Sequence, residues 1–355
     1  MFQITQILNV PKVRLLTMET SYLFLGPRAN QNHPEITGGI IVLFENFISY
    51  CDKNSIDYIV IDTNKGNYAN KLLAYIQIVY LLCIKTHKVE KVSLHGTAND
   101  YLLIAPLALL ISKMFGRSFS LRKFAGNFIE IYERYSPLKK YIIKKTLEKS
   151  SYNFFETKYL VEYFKKYNEN TFWFPNVREN QSSVKVDSYK KKFIYLGAIT
   201  KEKGIDVLCK TSNMISSEYI IDLYGSLSFD YNVDFFADYH VSYKGKLNQK
   251  DVIDTLLQYD VLVLPSFREG YPGVVIEALS VGLPIVASNL QGISEMVDEK
   301  SAKLFEVGDA IELKEALESF DEINYKKMSE SALKQFEQFD YVIQTKKYFD
   351  KIESK

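Results

Sequence analysis

Apolar positions along the chain fall into short blocks of two alternating kinds. Residues 22–26, 58–62, 91–95 and 118–124 are brief runs rich in β-branched and aromatic side chains, the pattern of strands. Between them, 40–51, 72–83 and 103–115 have helical length and apolar spacing. Residues 154–156 read as a fifth strand, followed by a helix at 158–167 and a short strand at 171–174. Residues 175–192 are polar, begin with Pro and end in a lysine run, a linker composition. Beyond them the alternation restarts: strands at 193–197, 219–224, 261–265 and 284–288, with helices from 204, at 249–258 and at 274–281. The pattern predicts an α/β protein of two doubly wound, Rossmann-like halves. The expected division is 1–178, a linker at 179–192, a second domain at 193–335 and a C-terminal helix at 336–355 packing back towards the first. Ligands of such sheets sit beyond the carboxyl ends of the strands, so a site between the halves would collect those loops. Residues 1–17 precede the first convincing strand; Met18 is an alternative start to Met1, and an ordinary N-terminal extension is the other reading.

Composition narrows the classes. In 355 residues, 44 Lys and Arg against 43 Asp and Glu leave a net charge of +1, without the phosphate-neutralising excess of a nucleic-acid-coating protein. Cys51, Cys83 and Cys209 lie far apart with no CxxC pair, which favours a reducing, cytoplasmic setting over a disulfide framework. His33, His87, His95 and His240 have no second ligand at metal-binding spacing, so no metal site is expected. No apolar run reaches the roughly 18–20 residues of a spanning helix, and the N-terminus has no signal-peptide pattern.

Glycine is scarce, 16 residues, yet Gly270, Gly273, Gly282 and Gly292 all fall within residues 265–292, PSFREGYPGVVIEALSVGLPIVASNLQG. A strand there leads through a loop into a helix that opens at Gly273-Val274 and stops at Gly282, beyond which Pro284 prevents continuation. The start of that helix offers unpaired amides and the positive end of the dipole, a seat for a diphosphate. Glu269 and Glu277 flank the turn with seven residues between them. A carboxylate accepts two hydroxyl donors, so each suits a vicinal diol, one of a sugar and one of a ribose. The alternative is that Glu269 caps the helix and Glu277 is a solvated surface residue.

The segment EGYPGVVIEALSVGLPIVAS resembles the E-x7-E donor-binding signature of glycosyltransferase family 4, the retaining GT-B enzymes. Gly38-Gly39 before a helix resembles the family's glycine turn, Phe174-Pro175-Asn176-Val177 its P-N-G-V motif, residues 197–204 (GAITKEKG) its G-R-x-x-x-E-K-G loop, and residues 291–295 its later G-x-x-E turn. The resemblance implies a GT-B fold and transfer of a sugar from a UDP- or GDP-sugar to a saccharide or lipid-linked saccharide, with retention and without a metal cofactor, in bacterial capsule, exopolysaccharide or lipopolysaccharide synthesis. By the same resemblance Glu277 holds the ribose, Glu269 the donor sugar, and Lys203 the departing diphosphate. Gly38, Gly39, Gly197, Arg268, Gly270, Tyr271, Pro272 and the backbone of Gly273, Val274 and Val275 complete the donor site. No Asp-x-Asp triplet, the metal anchor of the other main glycosyltransferase fold, occurs in the sequence.

Two departures matter. Ala198 stands where the family carries a phosphate-binding Arg, leaving Lys201 or Arg268 to supply the second charge. Ala125 stands before Gly126 where the family has His, so His95, at the end of a neighbouring strand, becomes a substitute, with Arg122 and Asn127 as further acceptor candidates; a hydrogen-bonded structural histidine is the alternative. Residues 136–150 (SPLKKYIIKKTLEKS) read as a basic amphipathic helix suited to the inner membrane surface, or as a solvated lysine face over a buried stripe. The rival functions are an epimerase or phosphorylase on the same fold and a non-catalytic nucleotide-sugar-binding partner subunit.

Overall fold

The computed structural model describes residues 20–30, 38–124, 126–181 and 188–354. Met1, Met18 and Ala125 therefore lie outside the described residues. Strands β1 (Thr20–Gly26), β2 (Tyr58–Asp62), β3 (Val89–Gly96), β4 (Ser118–Lys123), β5 (Tyr152–Phe155) and β6 (Thr171–Trp173) form one parallel sheet in the order β2-β1-β3-β4-β5-β6. The second sheet is built from β7 (Lys192–Leu196), β8 (Ile220–Tyr224), β9 (Ser242–Gly245), β10 (Val261–Leu264), β11 (Ile285–Ser288) and β12 (Ala302–Phe305), ordered β12-β11-β10-β7-β8-β9 and again parallel. The central strands are unbroken apolar runs such as Val261–Leu264, fully buried, because helices cover both faces of a parallel sheet. This is the GT-B arrangement of two Rossmann-like halves.

One face of the first sheet is covered by helices Lys71–Lys85, Ile104–Met114, Pro137–Lys149 and Lys158–Lys165. The other is covered by Gly39–Lys53 and by the last helix of the chain, Tyr341–Glu353. That last helix comes after the whole second half yet buries Tyr348, whose hydroxyl donates to Ser93 Oγ at 2.6 Å, and Phe349, which stacks on Phe47 at 5.7 Å. The chain thus crosses between the halves twice. The two crossings pair with each other: Arg178 N donates to the Phe339 carbonyl and Tyr341 N to the Arg178 carbonyl, both at 3.0 Å.

In each sheet the chain reverses its direction of growth once. The reversal lies between β1 and β3 in the first sheet and between β7 and β10 in the second. A crevice opens at such a point because the two following loops leave in opposite directions. In the second half those loops are residues 197–204 and 265–273, the two segments that carry Lys203, Glu269 and the start of helix Gly273–Ser280.

Candidate functional site

Packing between backbones holds the two loops together. Gly204 takes the left-handed conformation (φ 69°), and a Cβ on it would collide with the Pro265 carbonyl. Phe267 N also donates to the Glu202 carbonyl at 2.9 Å. That contact sets Lys203 Nζ 2.7 Å from Glu269 Oε1, which also accepts from Ser266 Oγ at 2.7 Å. One helical turn on, Glu277 Oε1 accepts from Arg178 Nε at 2.8 Å and from Gln249 Nε2 at 3.4 Å. Both glutamates are therefore tied through one oxygen to a cation. Their side chains keep only 10% of their surface exposed, where ionic contacts are screened less than on the open surface.

Arg178 is the residue that sequence reasoning missed. It follows the Pro175-Asn176-Val177 segment directly, and its backbone is the point where the two crossings pair. Its guanidinium lies against the first residue of helix Gly273–Ser280, so closely that a Cβ on Gly273 would collide with Nη2. The two residues anticipated as the second cation are both exposed. Arg268 is exposed and spans the cleft to Glu130 Oε2 at 2.7 Å, and Lys201 is exposed with no ion pair among the described residues. Ala198 is exposed as well, its carbonyl accepting from the Tyr195 hydroxyl at 2.7 Å.

The remaining predicted donor residues divide into those that face the cleft and those that frame it. Gly39, Gly270, Tyr271 and Gly273 line a groove between the halves together with Asn127 and Arg178. Gly38 precedes helix Gly39–Lys53, with its carbonyl accepting from Ile41 N and Val42 N. Tyr271 buries its ring against Phe339 while its carbonyl accepts from Asn176 Nδ2 at 3.2 Å. Pro272 is the extended residue before the helix. Gly197 donates its amide to the Tyr224 carbonyl at 3.0 Å. The amides of Gly273 and Val274 have no partner among the described residues, but that of Val275 is taken by the Pro272 carbonyl at 3.2 Å. The Val275 amide is thus engaged in the turn that opens the helix.

Across the cleft the outcome is different. Asn127 and Gly126 line the narrow throat opposite Glu269 and Gly270, where a Cβ on Gly126 would stand 2.8 Å from the Gly270 carbonyl. His95 is not at the cleft. It is wholly buried among Phe24, Phe44, Phe47, Phe124 and Tyr348, with no hydrogen-bond partner on either ring nitrogen among the described residues. Burial, with a smaller push from the Arg122 charge, holds its pKa well below the ordinary histidine value. Arg122 is equally enclosed: its guanidinium stacks 3.5 Å from the Phe174 ring centre, Nη2 donates to the Pro175 carbonyl at 3.3 Å, and burial lowers its pKa to about 9. A strand alternates its faces, and the registers of β3 and β4 turn both side chains into the core beside the last helix. Glu295, of the later G-x-x-E turn, binds the halves together by accepting from Tyr159 N at 3.2 Å. Among the described residues no three His, Cys, Asp or Glu gather closely enough to hold a metal ion.

The chain has known relatives in sequence and in fold. Residues 176–335 match the family described as glycosyl transferases group 1. The matched segment holds both glutamates, Lys203 and Arg178. The chain is 32% identical over 133 residues to TuaC of Bacillus subtilis, a candidate teichuronic acid biosynthesis glycosyltransferase, covering 36% of this chain and 32% of that protein. It is 30% identical over 132 residues to the capsular polysaccharide biosynthesis glycosyltransferase CapM of Staphylococcus aureus, covering 35% of each. The aligned region thus spans about a third of these relatives' length. The whole fold is similar to that of Anabaena Alr3699/HepE, solved in complex with UDP, with a TM-score of 0.72 over 94% of this chain and 100% of that one at 14% identity.

Proposed function

We propose that this chain is a retaining glycosyltransferase. It takes a sugar from a UDP- or GDP-sugar and adds it to a saccharide or lipid-linked saccharide acceptor at the cytoplasmic membrane face, in the synthesis of a bacterial surface polysaccharide. The observation that carries this reading is the arrangement of Glu269 and Glu277 around the start of helix Gly273–Ser280, each with one oxygen on a cation and Oε2 without a hydrogen bond among the described residues. The UDP complex of the structurally similar Alr3699/HepE and the capsule and teichuronic acid relatives support it.

In this reading Glu277 accepts the two ribose hydroxyls and Glu269 those of the donor sugar. Lys203, on the Glu269 side, and Arg178, on the Glu277 side, bracket the diphosphate, with the unpartnered amides of Gly273 and Val274 between them. Charge accumulates on the diphosphate as the glycosidic bond breaks, so these fixed positive groups act most strongly in the transition state. The departing phosphate oxygen accepts the acceptor's proton and the acceptor attacks the same face of the sugar, which retains the configuration. Arg178 does the work that the missing Arg at Ala198 would do, and no metal is required. The test is an assay of UDP- and GDP-sugars with membrane glycan acceptors, with and without EDTA. Nucleotide release that depends on acceptor, persists in EDTA and yields a product of unchanged anomeric configuration by NMR supports the reading. Turnover of the donor without a glycan acceptor points to an epimerase or phosphorylase; tight nucleotide binding with no release under any acceptor points to a partner subunit.

A further inference from the structure

Three neighbouring helices on the outer side of the first sheet carry apolar side chains that no part of the described chain covers. Helix Lys71–Lys85 packs onto the sheet through Ala74, Ile78 and Leu82. Its solvent side is nevertheless a row of Leu72, Ile76, Tyr80 and Ile84, spaced by four, with Leu72 70% exposed. Helix Ile104–Met114 repeats the pattern: Leu107, Leu110 and Met114 face outward, Met114 73% exposed, with Leu103 just before the helix. Helix Pro137–Lys149 adds Leu138 and Tyr141. A surface helix ordinarily turns polar side chains to water. Here the outer sides are apolar, and the middle helix touches both others, so the three rows form one face. Contiguous apolar surface of this kind marks a binding face.

The charge around it selects the partner. The three helices hold eight lysines and one acid, Glu148. Glu148 pairs with Lys144 and Lys145, and Lys140 pairs with Glu133. Lys71, Lys85, Lys113, Lys139 and Lys149 have no carboxylate partner among the described residues. The fitting partner is apolar within and anionic at its surface. A second copy of the chain would set lysines against lysines.

We propose that this face docks on an anionic phospholipid leaflet, with the tips of Leu72, Ile76, Leu110 and Met114 entering the acyl boundary and the lysines meeting the headgroup phosphates. No described helix is long and apolar enough to cross a membrane, so the contact is peripheral. The proposal deepens the membrane-surface part of the function above: the contact belongs to helices Lys71–Lys85 and Ile104–Met114 with the lysine-rich helix beside them, not to that helix alone. It does not depend on transfer activity.

The test is flotation of the full chain with vesicles of phosphatidylglycerol and phosphatidylcholine, and with phosphatidylcholine alone. The chain is expected to float with the anionic vesicles, less at high salt, and not with the neutral ones. The exposed-site variant Ile76→Glu/Leu110→Glu is expected to remain below, since each inserted side chain is worth about tenfold or more in partitioning. Lys139→Gln/Lys149→Gln should reduce flotation less. Nucleotide titration of the same variants in solution reads their folding and the donor site separately. The proposal is overturned if the chain ignores anionic vesicles, or if Ile76→Glu/Leu110→Glu floats as well as the parent. It is overturned equally if light scattering shows a dimer that this variant dissolves while vesicle binding is absent.

Discussion

The two halves of this molecule share a topology and use it differently. In the second half, the strands at the point of reversal, β7 and β10, end in loops that deliver Lys203, Ser266 and Glu269 to one place, and the helix after β10 adds Glu277. In the first half, β3 and β4 end in residues that face inward. His95 and Arg122 close over a core shared with the C-terminal helix, and Asn127 and the glycines are left to shape the opposite wall of the cleft. Equal folds thus give one face that gathers charged side chains, the armed side, and one that mainly encloses. Arg178 belongs to neither alone: it sits on the crossing between them and places its side chain on the armed side.

Lys203→Ala gives the largest expected break in this contrast. If the second half carries the chemistry, it lowers the transfer rate by about 10²–10³-fold, the usual cost of one preorganised contact to developing charge. Steady-state rates at saturating donor check this, and a near-normal rate would remove Lys203 from the diphosphate. Arg178→Ala sharpens the point. It leaves the mostly buried Glu277 without its cation, and a hydrogen bond to a charged group is worth about 1.5–3 kcal/mol, or roughly 10–150-fold in nucleotide affinity. Tighter binding in Arg178→Ala would instead mean that the guanidinium competes with the ribose for Glu277.

His95→Phe tests the enclosing half and should have the smallest effect. Transfer is expected to be unchanged, and stability near neutral pH to shift by less than about 1.5 kcal/mol, as for a shape-conserving core swap. The pH dependence supplies the sign. The folded chain refuses a proton that the unfolded chain accepts, so the contribution of His95 to stability is intact above about pH 6.5, the ordinary histidine value, and is lost as pH falls below it. Thermal melts at neutral and mildly acid pH should therefore show a smaller acid loss in His95→Phe. A collapse of transfer with an unchanged melt would return His95 to the acceptor site.

Much of the armed half was legible because its chemistry lies in one continuous stretch: the strand, glycine turn and helix around Glu269 and Glu277 are local, and spacing alone sets one carboxylate before the helix and the other a turn inside it. Contacts between distant segments were not. Arg178 meets Glu277 across 99 residues of sequence, and only the pairing of the two crossings brings them together. His95 failed for a related reason. A strand end is visible in sequence, but the face on which its last residue lies depends on register and on the helix Tyr341–Glu353, which arrives from the far end of the chain. The edge strands β9 and β12 went unseen because four residues, one set of them SYKG, carry too little periodicity to register.

In the proposed function Glu277 grips the ribose of a nucleotide diphosphate. Calorimetric titration of UDP and GDP into the parent chain and into Glu277→Ala tests it most directly. One nucleotide is expected to bind at micromolar concentration, with a loss of about 1.5–3 kcal/mol in the variant. Equal affinity in the two proteins would contradict it.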